Sequence, residues 1–367
     1  LRVLATVERY TPAIGGAERV VQRVAEGLAA RGHEVHVLTG GLASEESVGG
    51  VHVHRVPVSG NEARGIHGDG SAVVELITRV SPDLVFNYAA QTWATDCCVE
   101  LLERSERPRM LLAPCGFSGL GKRRYRRYFA AMPERLRRYD ALILHSSVYQ
   151  DWKFAAAAGV ERMFVVPNGA DTPLTGDPLR AELPAGSLAV TVGSHVVSKG
   201  HAEFARALRA LGRDRPVTGA IVAPPRRGLD AVRGCQLACQ ARARGPSLNL
   251  VDGSLPGAVA RAVCAADLFL FTSRVECAPL VILEAMAAGT PWVSYDVGNV
   301  SELPGGLVAA SPSALLDAAA QILDGARPEL GPEGRAAWQQ SHRWEDIVPR
   351  YESVFEEVLE APSTLEA

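Results

Sequence analysis

Two carboxylates eight positions apart, Glu276 and Glu284, lie in the segment SRVECAPLVILEAMAAGTPWVS, residues 273 to 294. A carboxylate accepts two hydroxyl protons at once, so such a pair suits a neutral, hydroxyl-rich ligand such as a sugar or a ribose. Glu276 falls in a loop just past a predicted strand, and Glu284 falls inside the helix that follows. Open α/β sheets bind ligands at the carboxyl ends of their strands, which favours Glu276 as a contact. The plainer alternative is two solvated acids on an ordinary helix. Gly15 and Gly16 precede the first predicted helix, where unpaired N–H groups and a bare backbone let a phosphate or sugar approach closely. Alone, such a pair is more often just a tight turn. Lys199 lies in VGSHVVSKG (192–200), between a strand and a helix, in a chain whose only other lysines are Lys122 and Lys153. Arg226 and Arg227, in APPRRG, also follow a strand.

Other patterns exclude chemistry. GFSGLGK (116–122) imitates a phosphate-binding loop, but Arg123 stands where a Ser or Thr would hold magnesium. No D-x-D pair is present to clamp a metal–diphosphate unit. The seven cysteines are scattered. Cys97 and Cys98 are adjacent and Cys235 and Cys239 lie four apart, and neither spacing matches a zinc site or a disulfide framework. No metal site is therefore expected, and reduced thiols point to a cytoplasmic protein. Residues 122 to 138 (KRRYRRYFAAMPERLRR) are densely basic. With Tyr125, Tyr128 and Phe129 interleaved, they suggest an amphipathic surface for peripheral membrane or lipid-phosphate contact, against the alternative of a solvated helix.

The elements that must position these residues alternate from end to end. Short β-branched runs at Leu1–Val7, Val35–Thr39, Val51–Val56, Leu84–Asn87, Met110–Ala113, Ala141–Leu144 and Phe164–Val166 are separated mostly by helical patterns. Helices are expected at Ala17–Arg31, Ala72–Arg79 and Thr92–Ser105. After a Pro/Gly-rich linker (167–186), strands recur at Leu188–Val192, Val217–Val222, Leu248–Val251, Leu268–Phe271 and Trp292–Tyr295. This alternation predicts two doubly wound parallel sheets, each Rossmann-like, facing a cleft. The length of 367 residues suits two domains. The domains are expected at 1–169 and 186–343, with a C-terminal helix at about 344–367. A net charge of −3 gives no reason to expect nucleic acid as a partner. No apolar run approaches the roughly 20 residues that would span a bilayer.

The E-x7-E spacing, the run LEAMAAGTP and the opening PAIGGAERVVQRVAEGLAARGHEVHVLT resemble the retaining GT-B glycosyltransferases of family 4. The order of landmarks, from PNGAD through VGSHVVSKG to a Trp-containing C-terminal helix, is similar too and covers essentially the whole chain. The resemblance implies transfer of a sugar from a nucleotide-diphosphate donor to an acceptor hydroxyl, with a nucleotide sugar (UDP by family habit) as co-substrate and no separate cofactor. It implies an acceptor-binding first domain, a donor-binding second domain and a C-terminal helix that crosses back to the first. It places Glu284 at the ribose hydroxyls and Glu276 at the donor sugar, beside the main chain of Ala278, Pro279 and Leu280. Lys199 would hold the diphosphate, where a fixed cation stabilises the charge that grows on the leaving group. Family members carry an Arg where this chain has Ser194, so His195, or Arg226 with Arg227, would compensate. Many also carry a His where this chain has Cys115. The acceptor region implied is Cys115, Gly116 and Phe117, with Cys115 read as a small space-filling side chain. Cell-envelope glycans, glycoconjugates and secondary metabolites fit equally as products. A non-catalytic sugar-nucleotide binder and a GT-B epimerase are the alternatives.

Overall fold

The computed structural model of the chain describes residues 1–13, 15–173, 186–226, 228, 234–243 and 247–362. The chain divides into two compact units, Leu1–Asn168 with the segment from Trp344 onward, and Gly169–Arg343.

The first unit is built on an eight-stranded sheet of β1 (Arg2–Thr6), β2 (Glu34–Gly40), β3 (Ser44–Val48), β4 (Val51–Val56), β7 (Leu84–Tyr88), β8 (Arg109–Ala113), β9 (Ala141–Leu144) and β10 (Met163–Val165). Their spatial order is β10-β9-β8-β7-β1-β2-β4-β3. Every pairing is parallel except that of β3 with β4. The expected strands are present. Sequence periodicity missed β3, because SEESV has no apolar alternation. It pairs because Gly49 and Gly50, both left-handed (φ 61° and 80°), turn the chain back onto β4. A small hairpin of β5 (Ser59–Asn61) and β6 (Gly65–His67) was also not legible.

The helix expected over Thr92–Ser105 is instead a single turn, Trp93–Asp96, followed by a 3-10 segment, Val99–Glu103. The hydroxyls of Thr92 and Thr95 both donate to the carbonyl of Ala89, at 2.9 Å each, and fix this segment to the loop after β7. Burial of Trp93, Cys98, Leu101 and Leu102 then decides its path. The C-terminal helix, Trp344–Glu360, returns to the first unit and buries Ile347, Val348, Tyr351 and Phe355 there. It lies so close to helix Gly16–Ala30 that a Cβ on Gly27 would stand 2.6 Å from Val348. Glu352 fastens it further, pairing with Arg31 at 2.6 Å and His33 at 2.7 Å.

The second unit has six parallel strands, β11 (Ser187–Val192), β12 (Val217–Ala223), β13 (Leu248–Asp252), β14 (Leu268–Phe271), β15 (Trp292–Tyr295) and β16 (Gly306–Ala309), in the order β13-β12-β11-β14-β15-β16. Of these, β16 was not expected. It opens on Gly306 because the ring of Trp292 lies 2.0 Å from where a Cβ would be. Both sheets are thus doubly wound with helices between the strands. Among the described residues no helix is long and apolar enough to cross a membrane.

Candidate active site

In the second sheet the chain winds one way from β11 to β13 and the other way from β14 to β16, so β11 and β14 are neighbours at the reversal. The loops that leave their carboxyl ends must lie side by side, and ligands bind at such a point. Three hydrogen bonds join the two loops. Thr272 Oγ1 donates to the carbonyl of Gly200 at 3.0 Å, while the Arg274 N–H and the Ser273 hydroxyl reach the carbonyl of Ser198 at 2.8 and 3.3 Å. Gly200 is left-handed (φ 72°), and a Cβ there would stand 1.9 Å from the carbonyl oxygen of Thr272. No other residue fits. This close approach holds Lys199 at the end of its 3-10 turn with Nζ 2.7 Å from Glu276 Oε1. The pair is partly open to solvent, with Lys199 27% and Glu276 11% exposed. Behind it, buried Glu203 binds both the Arg274 guanidinium and the Tyr295 hydroxyl, and that guanidinium lies 5.6 Å over the Tyr295 ring.

Glu276 leads into helix Leu280–Ala288, whose N-cap is Pro279 and whose first turn has no side-chain cap. Its leading N–H groups are donors for a ligand oxygen. Pro279 has no N–H, so the first backbone donors of the helix are those of Leu280 and Val281. Glu284 lies one turn into the helix and is half-buried. Ser194 is exposed. His195, offered by the sequence as a substitute for the missing Arg, is only 4% exposed. Arg226 is better placed, its Nη1 donating to the His195 carbonyl at 3.2 Å, one residue from Ser194. Arg227 lies outside the described residues.

The first sheet reverses between β1 and β7. Gly15 and Gly16 end the loop after β1 and open helix Gly16–Ala30. Gly15 is extended (φ 178°), a conformation open to any residue. A Cβ would stand 2.2 Å from the carboxylate of Glu18, which is buried and paired with Arg9 at 2.8 Å. Nothing lies within 4 Å of the corresponding position on Gly16, where the backbone is open to approach.

The loops after β7 and β8 carry four non-glycine residues in the left-handed region, Ala89 (φ 70°), Gln91 (65°), Cys115 (56°) and Phe117 (48°), with Gly116 (87°) between the last two. Such a backbone costs about 1–2 kcal/mol per residue and persists only where its surroundings over-determine it. Here they do. Asp151 Oδ2 accepts the Gly116 N–H at 2.8 Å, Gln150 Nε2 donates to the carbonyls of Gly116 and Phe117, and Gln91 Oε1 accepts the Gly119 N–H at 3.1 Å. The Gln91 N–H donates to the Tyr128 hydroxyl at 2.8 Å, which donates in turn to Asp96 at 3.0 Å. Burial pushes the Asp96 carboxyl up to about 6.

Cys115 is half-buried, and burial pushes its thiol up to about 12, so it is a neutral side chain rather than a nucleophile. Phe117 is 1% exposed and packs edge-to-face on Phe129 and Phe154, so its ring belongs to the core. Sequence reasoning missed His145 and Asp151. His145 Nε2 meets the Tyr88 hydroxyl at 3.1 Å and Nδ1 meets the Val166 carbonyl at 2.9 Å. The available signal was a histidine directly after β9.

Two further expectations change. Tyr125, Tyr128 and Phe129 belong to the core of the first unit, so the basic segment has no aromatic outer face. It exposes Lys122, Arg123, Arg124, Arg126 and Arg127, while Arg135 pairs with Glu62 at 2.6 Å. The cysteine pair read as unsuited to metal acquires two partners from elsewhere in the chain. Cys235 Sγ is 3.4 Å from His201 Nδ1 and 3.8 Å from His195 Nδ1, and Cys239 Sγ is 3.8 Å from His201 Nδ1.

Two family models match the chain in tandem, "Glycosyltransferase Family 4" over residues 14–173 and "Glycosyl transferases group 1" over 186–325. A search of curated proteins finds no significant match. Solved structures match throughout. Sucrose-phosphate synthase from Thermosynechococcus elongatus superposes with a TM-score of 0.80 at 18% identity, covering 98% of this chain and 100% of that one. HepE of Anabaena, solved in complex with UDP and glucose, gives 0.73 at 16% identity over 97% and 99% of the two chains. A trehalose-6-phosphate enzyme from E. coli bound with UDP-2-fluoro glucose gives 0.72 at 13% identity over 99% and 100%. The order of the sheets, the returning C-terminal helix and the tandem family match agree, and the chain belongs to the family-4-like glycosyltransferases of the GT-B fold.

Proposed function

We propose that this protein transfers a sugar, most simply a hexose, from a nucleoside-diphosphate donor to an acceptor hydroxyl with retention of configuration and without a catalytic metal. The observation that carries the reading is the Lys199–Glu276 pair at the reversal of the second sheet, beside the uncapped start of helix Leu280–Ala288. As the bond from the sugar's anomeric carbon to the diphosphate oxygen breaks, negative charge grows on the leaving group. Lys199 and the leading N–H groups of that helix meet it, with Arg226 supplying the cation that Ser194 lacks. Glu276 accepts a hydroxyl of the sugar and Glu284 the ribose hydroxyls, roles carried over from the family. The acceptor oxygen bonds to the anomeric carbon on the face the diphosphate leaves, and its proton passes to the departing phosphate.

Donor binding is assigned to the second unit and acceptor binding to the first, at the strained loops Ala89–Gln91 and Cys115–Phe117. UDP is the favoured base, because the similar HepE and E. coli structures hold UDP or a UDP-sugar. The exposed cations of 122–127 favour a phosphate-bearing, lipid-linked acceptor at the cytoplasmic membrane surface.

The test is a thermal-shift panel of UDP, GDP, ADP and dTDP on wild type and Lys199→Ala. A nucleotide at 100 times its Kd stabilises by about 2.7 kcal/mol, a shift of several degrees. One nucleotide must shift wild type and not the variant, and its sugar conjugate must then be hydrolysed or transferred at a rate unchanged by added magnesium or manganese. Binding without turnover on any sugar conjugate would point to the non-catalytic alternative.

A further inference from the structure

The chain places four metal-ligand side chains together in the second unit, away from the carboxylates of the donor site. His195 comes from the loop after β11, and His201 is the first residue of helix His201–Leu211. Cys235 is the N-cap of helix Gln236–Arg242, and Cys239 stands one turn further along the same face. The two helices pack against each other, which brings both thiols onto the imidazoles. All four ligand atoms lie within 4.8 Å of one another, with nearest sulfur–nitrogen separations of 3.4, 3.8 and 3.8 Å. A tetrahedral ion with metal–sulfur bonds of about 2.3 Å and metal–nitrogen bonds of about 2.0 Å has ligand-to-ligand edges of about 3.3–3.8 Å. The cage is already near that size. His195, His201 and Cys239 are buried, at 4%, 1% and 1% exposure, and Cys235 is half-buried. The His201 ring keeps Nε2 buried with no hydrogen-bond partner. Its other nitrogen, Nδ1, faces both sulfurs.

We propose that His195, His201, Cys235 and Cys239 form a closed structural site for one divalent zinc-class ion. Two thiolates and two imidazoles are a donor set that selects zinc over magnesium or calcium, and four protein ligands leave no open position for substrate. On binding, the two thiols lose their protons to solvent and the dication is neutralised, so the filled site carries no net charge in a buried position.

The ion would act on the donor loop without touching the donor. His195 and His201 lie on either side of Lys199, so coordination pins both ends of the short segment that presents that ammonium. The same site binds that segment to residues 235–239, where the Cys235 N–H already donates to the His195 carbonyl at 3.2 Å, and Arg226 Nη1 donates to the same carbonyl. Lys199 and Arg226, on separate stretches of chain, would then be held by one cross-link.

The experiment uses the full chain without a histidine tag, expressed with zinc supplied and purified without chelator. Metal content is read by mass spectrometry in the absence of any nucleotide, which separates this site from the donor reading. About one zinc per chain is expected, retained in Cys264→Ser, whose thiol lies outside the cluster, and lost in Cys235→Ser/Cys239→Ser. Because unfolding of the double variant would also release zinc, wild type stripped of metal is titrated with cobalt(II) as well. The expected signature is the visible spectrum of tetrahedral cobalt with thiolate charge transfer, together with slower hydrogen exchange over 195–201 on refilling. Zinc well below stoichiometry in wild type, an octahedral cobalt spectrum, or an intact mass two hydrogens lighter under non-reducing conditions, marking a Cys235–Cys239 disulfide, would overturn the proposal.

Discussion

The two sheet reversals solve the same topological problem with opposite materials. In the second unit the loops after β11 and β14 are joined through an ion pair, Lys199 with Glu276, and through a close contact that only Gly200 permits. In the first unit the loops after β7 and β8 are held by a buried hydrogen-bond network around Gln91, Tyr128, Asp96 and Asp151, with non-glycine residues in left-handed backbone. Mobile charge at one reversal suits a ligand whose own charge changes during reaction. Fixed backbone shape at the other suits recognition of a neutral group. On the proposed reading the donor lies at the second reversal and the acceptor at the first.

The contrast can be broken most directly at Lys199. Lys199→Ala should lower kcat by roughly 10²–10³-fold, about 3–4 kcal/mol of leaving-group stabilisation, in steady-state assays with the donor that the nucleotide panel identifies. A loss under tenfold would remove charge as the organising feature of the second unit.

Gly200→Ala should destabilise the second unit by about 2–4 kcal/mol, because φ 72° and the Thr272 carbonyl at 1.9 Å both oppose a Cβ. Chemical denaturation followed by the tryptophans of that unit, Trp292 and Trp338, would report it. An unperturbed midpoint would show that the two loops are not locked together.

In the first unit the test is pH. Asp96 titrates at about 6 folded against an ordinary 3.8, so the folded state holds its proton more tightly than the unfolded one. Its contribution is fully present below about pH 4 and is lost as pH rises through about 6, amounting to at most about 3 kcal/mol. Asp96→Asn does not titrate, so the stability difference, variant minus wild type, should move in the variant's favour between pH 4 and 7. A difference that stays flat would mean that Asp96 is ionised in the folded protein.

The smallest effect concerns Glu276. Glu276→Gln removes the partner that neutralises Lys199, so sugar-free nucleoside diphosphate should bind several-fold tighter, about 1 kcal/mol, while transfer falls. Calorimetry on both proteins reads this. Weaker binding would mean that Glu276 positions Lys199 more than it competes for it.

Periodicity alone made much of this molecule legible. Alternating strand and helix patterns located nearly all the central strands, because a parallel strand buried on both faces is a plain apolar run. The same reading put Lys199 and Glu276 in loops after strands and Glu284 inside the helix that follows, and the structure has them there. Strands β3 and β16 were missed because their pairing is decided by Gly49–Gly50 and by the Trp292 ring, not by their own side chains. The basic segment misled because its aromatic residues, drawn as an outer face, lie in the core. Only the tertiary structure decided that Arg226 reaches the His195 carbonyl, that Phe117 turns inward, that Asp151 holds the Gly116 N–H and that His145 joins Tyr88 to Val166. It also joined Cys235 and Cys239 to two histidines more than 30 positions earlier. The physical reason is one of range. Secondary structure follows from the spacing of neighbouring residues, whereas a cage of ligands or a cation that replaces another in space is set by which loops a sheet order makes adjacent.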